Sequence, residues 1–342
     1  MPGDPRDSTT VAQTLADWAT GHFGGPVAVH GAPTTIGGGL DSYLHSIALH
    51  GAALPAEWHG PLVVRLLPAA DRDEQAAREV AVQRWCAQRA FAVPTVVAVF
   101  AAGELFHLPT QVMQRVPGLP MLAAITKAPW RAGRLVDLLA ATAHRLHGLP
   151  TDGWPGPSQP TATVDQRLGL PRRAVESLGL PELSAALARA ETVAPLAVGS
   201  ERVVCHGDFH PLNVMVDGDA ATVLDWTDAT LGPREADVSR TLLLFHVASI
   251  AANGAAERTA LRVVGPWLER RYRRAYLAHA ELDPVLLQRW EVLHLVHGWA
   301  QVEMLRAGAF ADESSVAGSQ LPDAVPTFLR ARFELAAAAV GA

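Results

Sequence analysis

One β-rich island in an otherwise helical stretch does most to constrain how this chain folds. It opens Val203-Val204-Cys205-His206-Gly207-Asp208-Phe209-His210-Pro211-Leu212-Asn213 and continues Val214-Met215-Val216. A turn at Asp217-Gly218-Asp219 leads into Ala221–Leu224, and Asp225-Trp226 closes the run. Asp-Gly favours positive φ and joins short apolar strands, so the middle of the island is predicted to be a β-hairpin. The hairpin would bring Asn213, before its first strand, near Asp225, at the end of its second. An Asn and an Asp converging in this way offer hard oxygen ligands of the kind Mg²⁺ takes alongside substrate phosphates. Asp208, five residues before Asn213, lies in the loop within reach of the same place.

The island sits in a chain whose character changes near Val116-Pro117-Gly118. Before that point one helix is expected from Ser8, with Val11, Leu15 and Trp18 on its apolar face, and another over Arg72–Arg89. Extended runs are expected at Val27–His30, Tyr43–Leu49, Leu62–Leu67, Val96–Phe100 and Gln111–Val116. After it, Trp130–His147 carries a helical stripe, and Pro150, Pro155, Pro157 and Pro160 mark a loop. Further helices are expected at 181–192, 234–252, 256–280, 284–307 and 322–340. The outline is α+β and bilobal, with a β-rich N-terminal lobe over 1–115 and a larger, mostly helical C-terminal lobe over 116–342.

Composition narrows the classes of function. Of 342 residues, 49% are hydrophobic and 18% charged, enough to build a core and too apolar for a disordered chain. The net charge is −6 and no basic block occurs, so nucleic acid is not an expected partner. Cys86 and Cys205 stand far apart, which gives neither a disulfide framework nor a CxxC metal pattern. The N-terminus lacks the basic and apolar regions of a leader, and no apolar run reaches the roughly 18–20 residues of a membrane span. A cytoplasmic protein with no membrane partner is expected, and nothing in the sequence sets its oligomeric state. The 28 basic residues comprise 27 arginines and Lys127.

The string HGDFHPLN, with the Asp of LDW twelve residues after its Asn, resembles the signature of the aminoglycoside phosphotransferase and choline kinase-like family. That family is part of the protein-kinase-like superfamily and shares its HxDxxxxN spacing. The resemblance implies a protein-kinase-like bilobal fold. It implies that Asp208 accepts the proton of an attacking hydroxyl and that Asn213 and Asp225 hold the metal, with Mg²⁺ and ATP, or GTP, as cofactors. Gly207-Asp208-Phe209-His210 also reads as the GDxH of a metal phosphoesterase, but the further His and Asp clusters of those enzymes do not occur. His206 is read as bracing the loop, His210 and Asp228 as substrate-side positions, and Asp237 as a structural acceptor of catalytic-loop hydrogen bonds.

The same resemblance asks for a cation on an N-lobe strand. Lys127 lies past the connector, so Arg65, between apolar neighbours in Val63-Val64-Arg65-Leu66-Leu67, takes that place, with Glu79 of the next helix as its partner. Arg65 departs from the lysine of protein kinases, although members of the broad family can resemble it in using arginine here; arginine presents a planar fork rather than a point charge. Gly37, Gly38 and Gly39 are expected to cover the phosphates with backbone N–H groups. The Gln114 carbonyl and the Val116 amide are expected to meet the adenine.

The implied activity is transfer of a γ-phosphoryl group to a hydroxyl of a small molecule. An aminoglycoside or another antibiotic is one acceptor class, and an amino alcohol or sugar another. Acidic residues late in the chain, Glu281, Asp283, Glu291, Glu303, Asp312 and Glu313, would suit a cation. A kinase-like protein that binds nucleotide without catalysis is the alternative of a different kind.

Overall fold

Side chains alternate between the two faces of the central N-terminal strands, and this decides which of them meet which helix. The computed structural model describes residues 4–37, 42–194, 202–251, 255–309 and 324–342. The chain forms two compact units, Met1–Gly118 with Thr222–Thr227, and Leu119–Ala221 with Asp228–Ala342. The division is not a single cut near residue 115. Thr222–Thr227 goes with the first unit because Val223 N donates to Ala92 O at 3.0 Å and Trp226 N to Glu79 Oε1 at 3.2 Å.

In the first unit, helix α1 (Ser8–Phe23) is capped by Asp7, one residue before the Ser8 expected for that role. The Asp7 carboxylate accepts from Thr9 N and Thr10 N at 3.1 and 3.2 Å. The strands are β1 (Ala28–Val29), β2 (Thr34–Thr35), β3 (Tyr43–His50), β4 (Pro61–Leu66), β5 (Val96–Phe100) and β6 (Thr110–Gln114). They pair antiparallel in the order β1-β3-β4-β6-β5, with β2 on β3. Leu62, Val64 and Leu66 point to a core with Val11, Leu15, Ile47, Phe100 and Val112. The period of two sends Arg65 to the other face, where helix α2 (Asp73–Gln88) lies.

In the second unit, β7 (Leu119–Pro120) leads into helices α3 (Met121–Lys127) and α4 (Ala132–His147). Helices α5 (Ala162–Leu178) and α6 (Pro181–Val193) follow. The island supplies β8 (Val203–Cys205), β9 (Val214–Asp217), β10 (Ala220–Val223) and β11 (Thr230–Gly232). Gly218, in the turn between β9 and β10, has φ 60°, which the Asp-Gly sequence accommodates. Strand β9 pairs with β7, and β8 with β11. Helices α7 (Arg234–Ala251), α8 (Ala255–Leu277), α9 (Pro284–Arg306) and α10 (Ala324–Ala339) complete the unit. Its main core joins Leu168 and Ala174 of α5 to Leu187 of α6, Trp290, Leu293 and Val296 of α9, and Leu329 and Phe333 of α10.

Helix α5 is not among the helices expected above, and it carries Pro171 in its middle. Proline removes the N–H that would bond the carbonyl four residues back, that of Arg167. Here His297 of α9 meets the freed Arg167 carbonyl through Nδ1 at 3.0 Å. Burial, with the nearby Arg167 and Arg240 guanidiniums, pushes His297 down to about 3, so the ring stays neutral and Nδ1–H is the donor. Among the described residues no helix is long and apolar enough to cross a membrane.

Candidate functional site

Each unit carries its own set of polar side chains, and each set is built around one carboxylate. In the first unit that residue is Glu79, 1% exposed on α2. Its Oε1 lies 2.5 Å from Nη1 of Arg65 and accepts Trp226 N at 3.2 Å. Its Oε2 meets the Thr227 hydroxyl at 3.2 Å and Gln111 Nε2 at 3.5 Å. Arg65 is 8% exposed and uses the rest of its fork as well. Nε donates to Ser42 Oγ at 3.2 Å, and Nη2 lies 3.4 Å from both Asp225 Oδ1 and Thr227 Oγ1. Arg65 and Glu79 are therefore brought together, with Asp225 at the edge of the same cluster.

Asp225 has φ 57°, one of two positive-φ residues other than glycine among those described. Asp tolerates the left-handed region better than most residues, and such outliers gather where function demands a geometry. Its Oδ1 is held by Thr227 Oγ1 at 2.8 Å, and the side chain is 46% exposed. Thr227 and Gln111 were not among the residues singled out from sequence. Thr227 lies two residues past Asp225 and Gln111 pairs with Arg65 across β4 and β6, so position alone was their signal.

Of the glycine triplet, Gly38 and Gly39 lie outside the described residues, as do Asp41, Asp312 and Glu313. A Cβ on Gly37 would meet nothing within 4 Å, so packing does not require glycine there. Gln114 ends β6, where its amide donates to Thr95 O at 2.8 Å and its side chain to Glu57 O at 3.0 Å. Val116 follows in extended, half-buried chain.

In the second unit the loop 206–213 is fixed from beneath by Asp237, 2% exposed in the first turn of α7. Its Oδ2 accepts His206 N at 2.8 Å and its Oδ1 accepts Gly207 N at 2.6 Å. His147 of α4 meets Oδ2 through Nε2 at 3.2 Å, with its Nδ1 2.6 Å from the Tyr276 hydroxyl. Burial works to raise the Asp237 carboxyl, but the bond from His147 and the backbone donors hold it below the usual range. His206 supports the loop too, its Nδ1 accepting Asp208 N at 3.3 Å. Gly207 has φ 83°, and a Cβ there would lie 2.5 Å from Asp228 O. Arg167, 1% exposed, donates to Gly207 O at 2.8 Å and to Asp228 Oδ2 at 3.0 Å. Asp228 thus reaches the loop through Arg167.

Asp208 stands on this fixed backbone. Arg240 places Nε and Nη2 each 3.0 Å from Oδ1, and His210 Nε2 lies 3.1 Å from Oδ2. Burial alone would raise the carboxyl, yet the Arg240 guanidinium and His210 hold it well below the usual carboxylate range. Asp208 is ionised at neutral pH and can accept a hydrogen bond from a hydroxyl. Asn213 donates Nδ2 to Asp208 O at 3.0 Å, which leaves its carbonyl oxygen as the atom for a cation. Among the described residues no three His, Cys, Asp or Glu side chains cluster to hold a metal by themselves. Asn213 Oδ1 is a hard oxygen of the kind Mg²⁺ takes, as are the carboxylate oxygens of Asp225 in the first unit.

A family model described as "Phosphotransferase enzyme family" matches residues 56–274, well over half of the chain. The chain is similar to several solved structures. A thermostable mutant of the aminoglycoside phosphotransferase APH(4)-Ia, in ternary complex with ADP and hygromycin B, is 14% identical with a TM-score of 0.61. That match covers 96% of this chain and 99% of the other. The macrolide 2'-phosphotransferase MphH from Brachybacterium faecium is 20% identical, TM-score 0.55, over 91% and 98%. A choline/ethanolamine kinase family protein from Mesorhizobium loti is 17% identical, TM-score 0.51, over 91% and 92%. None of the curated proteins matches the sequence. At these identities the likeness is one of fold, α+β and protein-kinase-like, with a β-rich N-terminal part and a helix-rich C-terminal part.

Proposed function

The chain belongs to the phosphotransferase enzyme family, and from that premise we propose that it moves the γ-phosphoryl group of ATP, or GTP, to a hydroxyl of a small molecule. The observation that carries the reading is Asp208: an ionised carboxylate on a loop whose backbone is bound by Asp237 and whose carbonyl side is bound by Asn213. Asp208 orients the hydroxyl and receives its proton. The bond from acceptor oxygen to γ-phosphorus forms, the bond from that phosphorus to the bridging oxygen breaks, and the nucleoside diphosphate leaves with the electron pair. The proton passes from Asp208 to solvent. Arg65, oriented by Glu79, meets the phosphates, and Gly37, Gly38 and Gly39 cover them. Asn213 and Asp225 would hold Mg²⁺, which offsets phosphate charge when bound. The Gln114 carbonyl and Val116 amide would meet the base, and His210 flanks the acceptor.

The acceptor is an aminoglycoside or another antibiotic, or alternatively an amino alcohol or sugar. Of the late acidic residues, Glu291 is paired with Arg332 at 2.6 Å, Glu303 with Arg330 at 2.8 Å, and Asp283 caps α9. The test is ADP release from Mg·ATP over a panel of aminoglycosides, macrolides, amino alcohols and sugars. Asp208→Asn is expected to abolish turnover and to leave ATP binding intact. Undiminished turnover in that variant sinks the assignment, and nucleotide binding without turnover on any acceptor favours a non-catalytic role.

A further inference from the structure

Asp208 has two oxygens, and the fold treats them differently. Nε of Arg240 donates to Oδ1 at 3.0 Å and Nη2 lies 3.0 Å from the same oxygen, so both nitrogens of the fork approach Oδ1 from one side. Oδ2 meets His210 Nε2 at 3.1 Å and, at 3.4 Å, Asn213 Nδ2. His210 Nδ1 accepts Leu212 N at 3.2 Å, so the ring's Nε2 carries a proton and donates it to Oδ2. Arg240 is 9% exposed and sits on the helix that carries Asp237, three residues on. One face of α7 therefore holds the loop backbone through Asp237 and the carboxylate through Arg240. A surface arginine would lose most of this grip to solvent; here the pair is partly shielded, with the Arg240 side chain 11% exposed and that of Asp208 30%.

We propose that Arg240 is a positioning residue for the phosphoryl transfer, occupying Oδ1 so that the acceptor hydroxyl is received at Oδ2 alone, in the direction His210 holds in the free protein. The inference rests on the proposed activity for its kinetic meaning and on the geometry of α7 and the loop for its structural meaning. With two nitrogens directed at one oxygen the guanidinium fixes where Oδ1 lies, and the compact, flexible ammonium of a lysine would hold that oxygen less firmly. Misdirecting the base spoils the alignment of the hydroxyl with the γ-phosphorus and leaves nucleotide binding alone.

Two measurements test it separately. The first is a double-mutant cycle on stability in urea, with Arg240→Gln, Asp208→Asn and the double variant. The two changes are expected to be strongly non-additive, because each removes the same pair. Additive effects overturn the inference, whatever the activity. The second is ADP release from Mg·ATP, with water and with the best acceptor of the panel. Arg240→Gln is expected to lower kcat by about tenfold to a hundredfold, the cost of a misplaced group. KM for ATP should stay within about twofold, since no nucleotide contact is lost. Arg240→Lys, which keeps the charge without the fork, should recover only part of kcat, and it replaces the Gln variant should that one fail to fold. A raised KM for ATP with unchanged kcat overturns the inference. If the wild-type protein releases no ADP with any acceptor, the proposed function falls, and the stability cycle still decides whether Arg240 acts on Asp208.

Discussion

Arg65 and Glu79 form a buried ion pair, 2.5 Å between Nη1 and Oε1, and Glu79 also holds the backbone amide of Trp226. The pair ties a strand, a helix and the segment carrying Asp225 into one cluster. Glu79→Gln keeps the shape and removes the charge, leaving the buried Arg65 guanidinium with only the half-exposed Asp225 carboxylate, 3.4 Å away, beside it. Breaking such a pair costs about 3–5 kcal/mol. Urea denaturation of this variant should show a loss in that range, and a loss under about 1 kcal/mol, typical of exposed pairs, would refute the buried reading.

The single lysine gives a second prediction. Lys127 ends α3 and is exposed, whereas Arg65 sits in the cluster with Ser42, Glu79, Asp225 and Thr227. Arg65→Ala should raise KM for ATP by at least about tenfold, the loss of one charge-assisted hydrogen bond of roughly 1.5–3 kcal/mol. Lys127→Ala should leave KM nearly unchanged. Equal effects of the two would remove Arg65 from the phosphate site.

The local part of the site was legible in the sequence because its chemistry lies at short fixed spacings. Asp208, Asn213 and Asp225 lie within one loop and one hairpin, and an Asp-Gly turn marks the register. Arg65 followed from the family resemblance, which asks for a cation on an N-lobe strand, together with the position of the one lysine. Arg240 was not, because its contact with Asp208 spans 32 residues and exists only once α7 packs beneath the loop. Thr227 and Gln111 were hidden for the same reason: a threonine or glutamine has no signature until Glu79 is placed beside it. Helix α5 was hidden by Pro171, whose cost is offset by His297, more than a hundred residues away in sequence.

Gly207 is held by its surroundings as well as its φ of 83°. In Gly207→Ala the new Cβ would lie 2.5 Å from Asp228 O and 2.8 Å from Asp228 Cβ. The strained backbone costs about 1–3 kcal/mol and the overpacking about 1–3 more. Because Asp228 is braced by Arg167, relief must come from the loop, so Asp208 shifts with it. A lowered Tm accompanied by a larger drop in kcat than in ATP affinity is the expected outcome. Wild-type Tm would show that the Asp228 contact yields freely.

Asp237 links the fold of the loop to pH. Its carboxyl is held below the usual range in the folded protein, mainly against burial, by His147 and the backbone of His206. A carboxylate of depressed pKa stabilises the fold fully above its unfolded value of about 3.9. That contribution disappears as pH falls through the lower folded value. Asp237→Asn retains one oxygen for the loop amides but has no proton to take up. The stability gap between wild type and this variant in urea should be full at about pH 7 and about pH 5, and should narrow steadily below about pH 4. A gap that stays constant from about pH 5 to about pH 2 would show that the Asp237 carboxyl titrates alike in the folded and unfolded chains.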